Sequence, residues 1–389
     1  MNLKEAAAKY GDYLIEMRRY FHAHPEISGK EYETSKRVKS ELDKFGIPWR
    51  PCGMETGILA TIQGAKPGKT ILLRGDMDAL TVQEESGLSF ASENPGVMHA
   101  CGHDCHISTL LTAARVLNDV KADLCGTVRL AFQPAEETAE GAKSMIENGA
   151  LDGVDGCFGI HVWSNVSAGK VALAPGPRMA AADQFSIDVK GKGGHGSAPH
   201  QCVDAAVVTS AIVTNLQTIV SREIDPGDPA VLTVGRMEAG TRWNVVAEYG
   251  RLEGTTRYFT RDLYQRFPEM MERVVSQTAQ TFRAEAKLNY DHIVPPTIND
   301  DHVTEVAIGA AAKALSPDAV ISIDRITGGE DFSFFMEKVP GAIALMGVGN
   351  EACGAVWPQH SGKYRVDENA LINSVLLYAQ VAVDFNAGC

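Results

Sequence analysis

Residues 70–80 read TILLRGDMDAL, an aliphatic run that meets a glycine and then two carboxylates, Asp76 and Asp78. A short apolar run closed by Gly75 predicts a strand over 70–74, with both acids at its carboxyl end. GILATI at 57–62 and TVRLAFQ at 127–133 predict further strands, with another over 157–163. Helical spacing fills the gaps near 106–119 and 139–148. Such alternation defines an α/β chain with a mostly parallel sheet flanked by helices. In these sheets ligands collect beyond the carboxyl ends of the strands. Upstream, Leu3, Ala6, Ala7, Tyr10, Leu14, Met17 and Phe21 recur at helical spacing. They predict one helix over 1–24, stopped by Pro25. A second amphipathic helix is expected near 31–45, closing at Gly46.

The pattern changes near 180. QFSIDVKG (184–191) alternates as a half-buried strand. A helix near 204–221, strands near 230–236 and 245–258, a helix near 261–282 and a strand near 284–290 follow. This β-α-β-β-α-β order is ferredoxin-like. After Pro295-Pro296 the first pattern resumes, with a strand at 342–348 and a helix from 367. The expected organisation is a first domain over 1–180 and 294–389, interrupted by an inserted domain over 181–293. The length of 389 residues also favours two domains over one core.

Composition excludes several classes. A net charge of −13 makes nucleic acid a poor partner. No apolar run reaches the roughly eighteen residues of a membrane span, and the N-terminal residues lack the apolar stretch of a signal peptide. Eight irregularly spaced cysteines are not a disulfide framework, which points to the cytoplasm.

The densest chemical cluster is His99-Ala-Cys101-Gly-His103-Asp104-Cys105-His106. It admits a closed structural zinc site, a catalytic metal site, or incidental surface histidines. Structural zinc usually takes two ligand pairs separated by a longer loop, so the tight spacing favours catalysis. Glu136-Glu137 follow Pro134 at the end of strand 127–133. They read either as acids at a helix N-terminus or as one metal ligand beside one general base. His161 closes another expected strand, and His360 lies in a loop after 342–348. Each is weak singly, but together they converge on successive strand ends. These donor types suit a pair of divalent ions, with a cysteine thiolate able to bridge them. Two ions would activate a shared water and polarise a carbonyl while a glutamate takes the proton, which is machinery for amide hydrolysis.

The chain resembles metallopeptidase family 20, subfamily D, which includes aminoacylases, hippurate hydrolases, auxin-conjugate amidohydrolases and acetyldiaminopimelate deacetylases. The resemblance rests on HPEIS (24–28), RGDMDAL (74–80), MHACGHDCH (98–106), QPAEE (133–137), GIHVW (159–163), GKGGHGSAPH (191–200), GGEDFSFF (328–335) and PQHSGKY (358–364). It implies the fold of the dinuclear metallopeptidases, with the inserted domain as lid and dimer interface. It implies metal ligands Cys101, His103, Glu137, His161 and His360, and a general base in Glu136 that later protonates the leaving amine. Asp78 would orient a ligand, and His195 would stabilise the oxyanion, reaching the site of a partner subunit. Asn244 and Arg257 would face the substrate carboxylate. For Arg257, a plain charge on a strand surface is the competing reading.

The implied activity is hydrolysis of N-acyl amino acids, such as N-acetyl or N-benzoyl forms, by a metal-bound hydroxide. The implied cofactor is two divalent ions per subunit, zinc first, with manganese, cobalt or nickel open. The implied assembly is a homodimer or higher homo-oligomer. Rival readings are a dipeptidase or carboxypeptidase-like enzyme and a catalytically silent metal-binding relative. The sequence departs from the family pattern at Cys105 (usually Gly), at Thr81 (usually Pro) and at NVVAE after 243. Packing of Cys105 against the helix is the plainer expectation. His99 and His106 border the site in helix-capping or packing roles, while His22, His24, His200, His292 and His302 are expected to be structural or surface residues.

Overall fold

The run at 70–74 lies within a longer strand, Lys66–Asp76, inside an eight-stranded mixed sheet. The computed structural model describes residues 2–388. Four parallel strands form the centre of this sheet, in the order Cys125–Gln133, Lys66–Asp76, Gly156–Ser167 and Gly341–Gly349. Ile58–Gln63 pairs antiparallel outside the first of them and is followed by Trp49–Pro51. Val171–Ala172 and Val320–Ile321 complete the opposite edge. Ile71, Leu72 and Leu73 are all fully buried, so both faces of the central strand are covered. Burial of each such side chain contributes about 1.5–3 kcal/mol. The helices Gly11–Ala23, His103–Asp119, Asp301–Ala314 and Leu371–Ala387 pack on the sheet and on one another.

One expectation for this part needs correction. The N-terminal helix is broken into Leu3–Ala8 and Gly11–Ala23, because the ladder lapses at Lys9-Tyr10 and restarts at a glycine, a poor residue for a helix interior. The stretch Glu368–Ala387 is long and apolar enough to pass for a membrane span. Its Leu371, Val375, Tyr378, Val381 and Phe385 are buried among the core residues, so it is the interior helix of this unit.

The chain divides into two units. One comprises the residues up to Gly176, Ile298–Asp324 and the chain from Phe334 onward; the other comprises Pro177–Thr297 and Arg325–Ser333. The sequence pattern places the inserted domain at 181–293. The segment 325–333 joins the second unit through Ile326, whose N–H donates to the Arg178 carbonyl at 2.9 Å and whose carbonyl accepts from Ala180 at 3.0 Å. Such long-range pairing leaves no periodic trace in the sequence.

The second unit has a four-stranded antiparallel sheet in the order Ala230–Ala239, Tyr249–Tyr258, Ala181–Lys190 and Glu285–Val294. Its helices Ala205–Thr218 and Arg261–Thr281 begin at caps, Asp204 accepting from Ala206 N–H and Thr260 from Leu263 N–H. Ala181, Phe185, Ile187 and Val189 point into the core with these helices, while the alternate residues of the strand face outward. The expected strand over 245–258 is interrupted. Val245–Val246 leaves the main sheet to pair with Gly194–His195, and the strand proper starts at Tyr249.

Candidate active site

Cys101 and His103 flank a sharp entry into the helix His103–Asp119. Between them Gly102 adopts φ +93°. A Cβ there would lie 2.5 Å from Val162 Cγ2 and 2.9 Å from Tyr364 Oη, so only glycine fits. The bend leaves Cys101 Sγ 3.4 Å from His161 Nε2.

Both buried imidazoles are held by their other nitrogen. His103 Nδ1 donates to the Asp78 carbonyl at 2.9 Å, and His161 Nδ1 donates to the Val162 carbonyl at 2.7 Å. Each Nε2 is thereby left as the lone-pair donor. The Val162 carbonyl also accepts from Gln359 Nε2 at 3.0 Å, which ties the loop carrying His360 to the strand carrying His161. His360 itself has φ +66° and is 56% exposed, with its N–H bonded to the Ala100 carbonyl at 2.8 Å.

Glu136 and Glu137 sit on a strained turn between Ala135 at φ +52° and Ala139 at φ +57°. Backbone strain of this kind is maintained by surrounding bonds. Here the fully buried Glu31 accepts from Ala135 N–H at 2.9 Å, from Gly29 N–H at 2.7 Å and from Thr56 Oγ1 at 2.8 Å. Asp78 accepts from Glu137 N–H at 3.0 Å and from Ser28 Oγ at 2.7 Å. Glu136 Oε2 lies 4.0 Å from His103 Nε2, and Glu137 Oε1 lies 3.6 Å from His360 Nε2.

His106 has more than the capping or packing role expected for it. The ladder between strands Lys66–Asp76 and Gly156–Ser167 ends at Arg74 and Gly159. Beyond that point, Val162 N–H donates to His106 Nε2 at 2.9 Å, while His106 Nδ1 donates to Asp76 at 2.5 Å. Asp76 also takes a bond of 2.6 Å from Arg74, which holds its carboxyl well below the usual range despite burial. His106 thus continues the strand pairing by a side chain and sets the position of His161. The wide spacing of these residues in the chain hid this role. Cys105 is fully buried, in keeping with its expected packing role.

The donor atoms of Cys101, His103 and His161 lie within 4.8 Å of one another, as do those of Cys101, Glu137 and His360 and those of His103, Glu136 and Glu137. Cys101 is common to the first two groups. Among the described residues, His103 Nε2 and Glu137 Oε1 are buried atoms with no hydrogen-bond partner. Burial disfavours charge on His103, yet Asp76, Cys101 and Asp78 raise its pKa well above the ordinary value. Burial drives the Cys101 thiol up and, helped by His106, pushes His161 well down. A cage that draws positive charge to orphaned donors and needs a cation to make its thiol a thiolate fits divalent metal ions.

The remaining three expected site residues lie in the second unit. His195 is exposed, and its Nδ1 accepts from Ser197 N–H at 3.1 Å and Ser197 Oγ at 2.8 Å. Asn244 directly precedes Val245, the ladder partner of His195, and its carbonyl accepts from Gly196 N–H at 3.0 Å. Asn244 Oδ1 is buried with no hydrogen-bond partner among the described residues. Arg257 stands apart from them on the main sheet, half-buried, donating to the Thr256 carbonyl at 2.8 Å and to Thr255 Oγ1.

A mostly parallel sheet with thiol, imidazole and carboxylate donors at its strand ends, interrupted by a ferredoxin-like unit, defines a metallopeptidase-type α/β protein. Residues 72–384 match the model of Peptidase family M20/M25/M40, and the chain belongs to that family. It is 40% identical to "Thermostable carboxypeptidase 1" of Saccharolobus solfataricus, over 99% of this chain and 98% of that protein. It is 39% identical to "N-acetyl-L-cysteine deacetylase" of Bacillus subtilis, over 94% of this chain and 86% of that protein. Among solved structures it is similar to a Bacillus subtilis protein described as a dinuclear metal binding peptidase from the M20 family. That likeness has a TM-score of 0.86 and 35% identity, covering 97% of this chain and 98% of the other.

Proposed function

We propose that this chain is a metal-dependent amidohydrolase that cleaves N-acyl amino acids into a carboxylic acid and a free amino acid. The observation that carries the reading is Cys101, one thiol shared by two donor groups beside Glu136. Relatives named N-acetylcysteine deacetylase and N-acyl-L-amino acid amidohydrolase support the substrate class. In this reading Cys101, His103, Glu137, His161 and His360 would hold two divalent ions. When bound, the ions supply Lewis acidity to the amide carbonyl and lower the pKa of water. Zinc suits the thiolate, while manganese, cobalt and nickel are compatible with the imidazoles and carboxylate.

Glu136 takes the proton of the attacking water and returns it to the leaving nitrogen. Asp78 keeps His103 and the Glu137 turn in place through its carbonyl and carboxylate. His195 donates to the developing oxyanion, and Asn244 and Arg257 receive the substrate carboxylate. The second unit serves as lid and as the surface of a homodimer. A reducing, cytoplasmic setting is supported by the seven described cysteines, all of which are free.

A second reading, a carboxypeptidase-like enzyme, is favoured by the relative of that name at 40% identity. The two are separated by amine release from acetyl, benzoyl and indoleacetyl amino acids and from free dipeptides, after chelation and after zinc or manganese is restored. Metal-restored release from one capped class supports the amidohydrolase. Release from free dipeptides alone moves the assignment to the peptidase.

A further inference from the structure

One turn of the helix Gly11–Ala23 carries Arg18 and His22 on the same face, both 1% exposed. They meet Asp104, also 1% exposed, the residue that directly follows His103. Arg18 Nε lies 3.1 Å and His22 Nδ1 2.8 Å from Asp104 Oδ2. The other imidazole nitrogen, Nε2, lies 3.0 Å from Glu84 Oε1. Both ring nitrogens therefore face carboxylates, which accept hydrogen bonds and donate none. An imidazole in that position must carry both protons.

Glu84 in turn starts a loop that wraps this pair. It accepts from Ser92 N–H at 2.6 Å and from Ser86 Oγ. Between these points Phe90 stands edge-on to the His22 ring at 5.6 Å and beneath the Arg18 guanidinium at 4.8 Å. Arg18 continues outward to Glu368 at 3.2 Å, and Arg19 pairs with the same carboxylate at 2.7 Å. The result is a chain of alternating charge, buried at Asp104, His22 and Arg18, that starts one residue from His103. It uses neither Glu136 nor any of the donors gathered around Cys101.

We infer that His22, as an imidazolium strung between Asp104 and Glu84, is a positioning residue that holds the Cys101–His103 turn in its metal-binding geometry. Asp104 occupies the first turn of the helix whose opening residue is His103. A carboxylate there is drawn to the helix N-terminus from one side and to His22 and Arg18 from the other. Its position, and with it the exit angle of the turn at Gly102, is set by the partner on the neighbouring helix. This resembles the way outer carboxylates fix ligand orientation, with the order of groups reversed. Arg18 alone does not supply the same constraint, because its guanidinium is divided between Asp104 and Glu368.

This inference rests on the metal reading given under Proposed function. Its test is zinc binding by the metal-stripped protein, measured by competition with a fluorescent chelator, for His22→Asn and His22→Gln side by side. The Asn amide nitrogen reaches the place of Nδ1 and keeps the Asp104 bond, whereas the Gln amide reaches the place of Nε2 and keeps the Glu84 bond. Zinc affinity should fall about tenfold in His22→Gln, the lower end seen when ligand-orienting partners are removed, and by less than about threefold in His22→Asn. At saturating zinc, His22→Gln should lose kcat with KM within about twofold, and His22→Asn should recover it. Equal zinc affinity in both variants and the parent, with only a lowered Tm, overturns the inference. If His22→Gln does not fold, Asp104→Asn is measured in its place, with the same tenfold loss expected and parental affinity contradicting it. A parent protein that binds no zinc overturns the metal reading itself, a result distinct from either.

Discussion

The two units hold their chemistry in different ways. In the larger one nearly every candidate group has a second bond that fixes it: His103 to the Asp78 carbonyl, His161 to the Val162 carbonyl, and Asp78 to Ser28 and the Glu137 N–H. In the smaller one His195 is exposed and braced by its near neighbour Ser197, and Trp243 beside Asn244 is 90% exposed. Preformed donors on strands and helix ends suit ions that demand fixed geometry, and surface groups on a short ladder suit a ligand of variable shape. Metal retention should thus depend on the larger unit, and substrate choice on the smaller.

The largest expected effect is at Glu136. Glu136→Gln should lower kcat about 10³-fold, within the range for general base catalysis, while zinc content by elemental analysis stays near two ions per chain. A variant that keeps most of its kcat would show the base to be another group. Next comes Gly102→Ala, which forces a Cβ onto Val162 and a side chain into φ +93°. Loss of about 2–3 kcal/mol in thermal unfolding is expected from the clash and strain together, and parental stability would mean that the turn relaxes freely.

In the smaller unit, Arg257→Ala should raise KM about tenfold with kcat within about twofold, the pattern of lost uniform binding. A change in metal content in that variant would break the division between the units. The smallest effect is a pH dependence. Burial and Arg18 oppose charge on His22, but Asp104 and Glu84 prevail and raise its pKa. Its stabilising contribution is therefore complete below the unfolded value of about 6.5 and is lost as pH rises through the folded value. The metal-stripped protein should lose Tm across that window, and His22→Asn, which cannot titrate there, should lose less.

The mostly parallel sheet and the inserted ferredoxin-like unit were legible in the sequence because strand and helix periods alternate cleanly, as at TILLR and TVRLAFQ. The residues now gathered around Cys101 were legible as donor types at strand ends. The bonds that position them were not. His106 bridges Asp76 and Val162 N–H, Glu31 supports the turn at Ala135, and His22 reaches Asp104 across 82 residues. Such pairings join parts of the chain that share no periodic pattern, so a buried histidine in a helix reads as packing until its partners are seen. The break after Val246 was hidden for a similar reason, since a strand that changes ladders keeps its β-branched composition.

The central claim is that Cys101 belongs to both donor groups, and metal stoichiometry tests it most directly. Zinc per chain should be measured after dialysis for the parent, Cys101→Ala, His161→Ala and His360→Ala. Two ions in the parent, fewer than one in Cys101→Ala and about one in each histidine variant would match a shared thiolate serving two tetrahedral-type sites. Retention of two ions by Cys101→Ala, with catalysis intact, would contradict it.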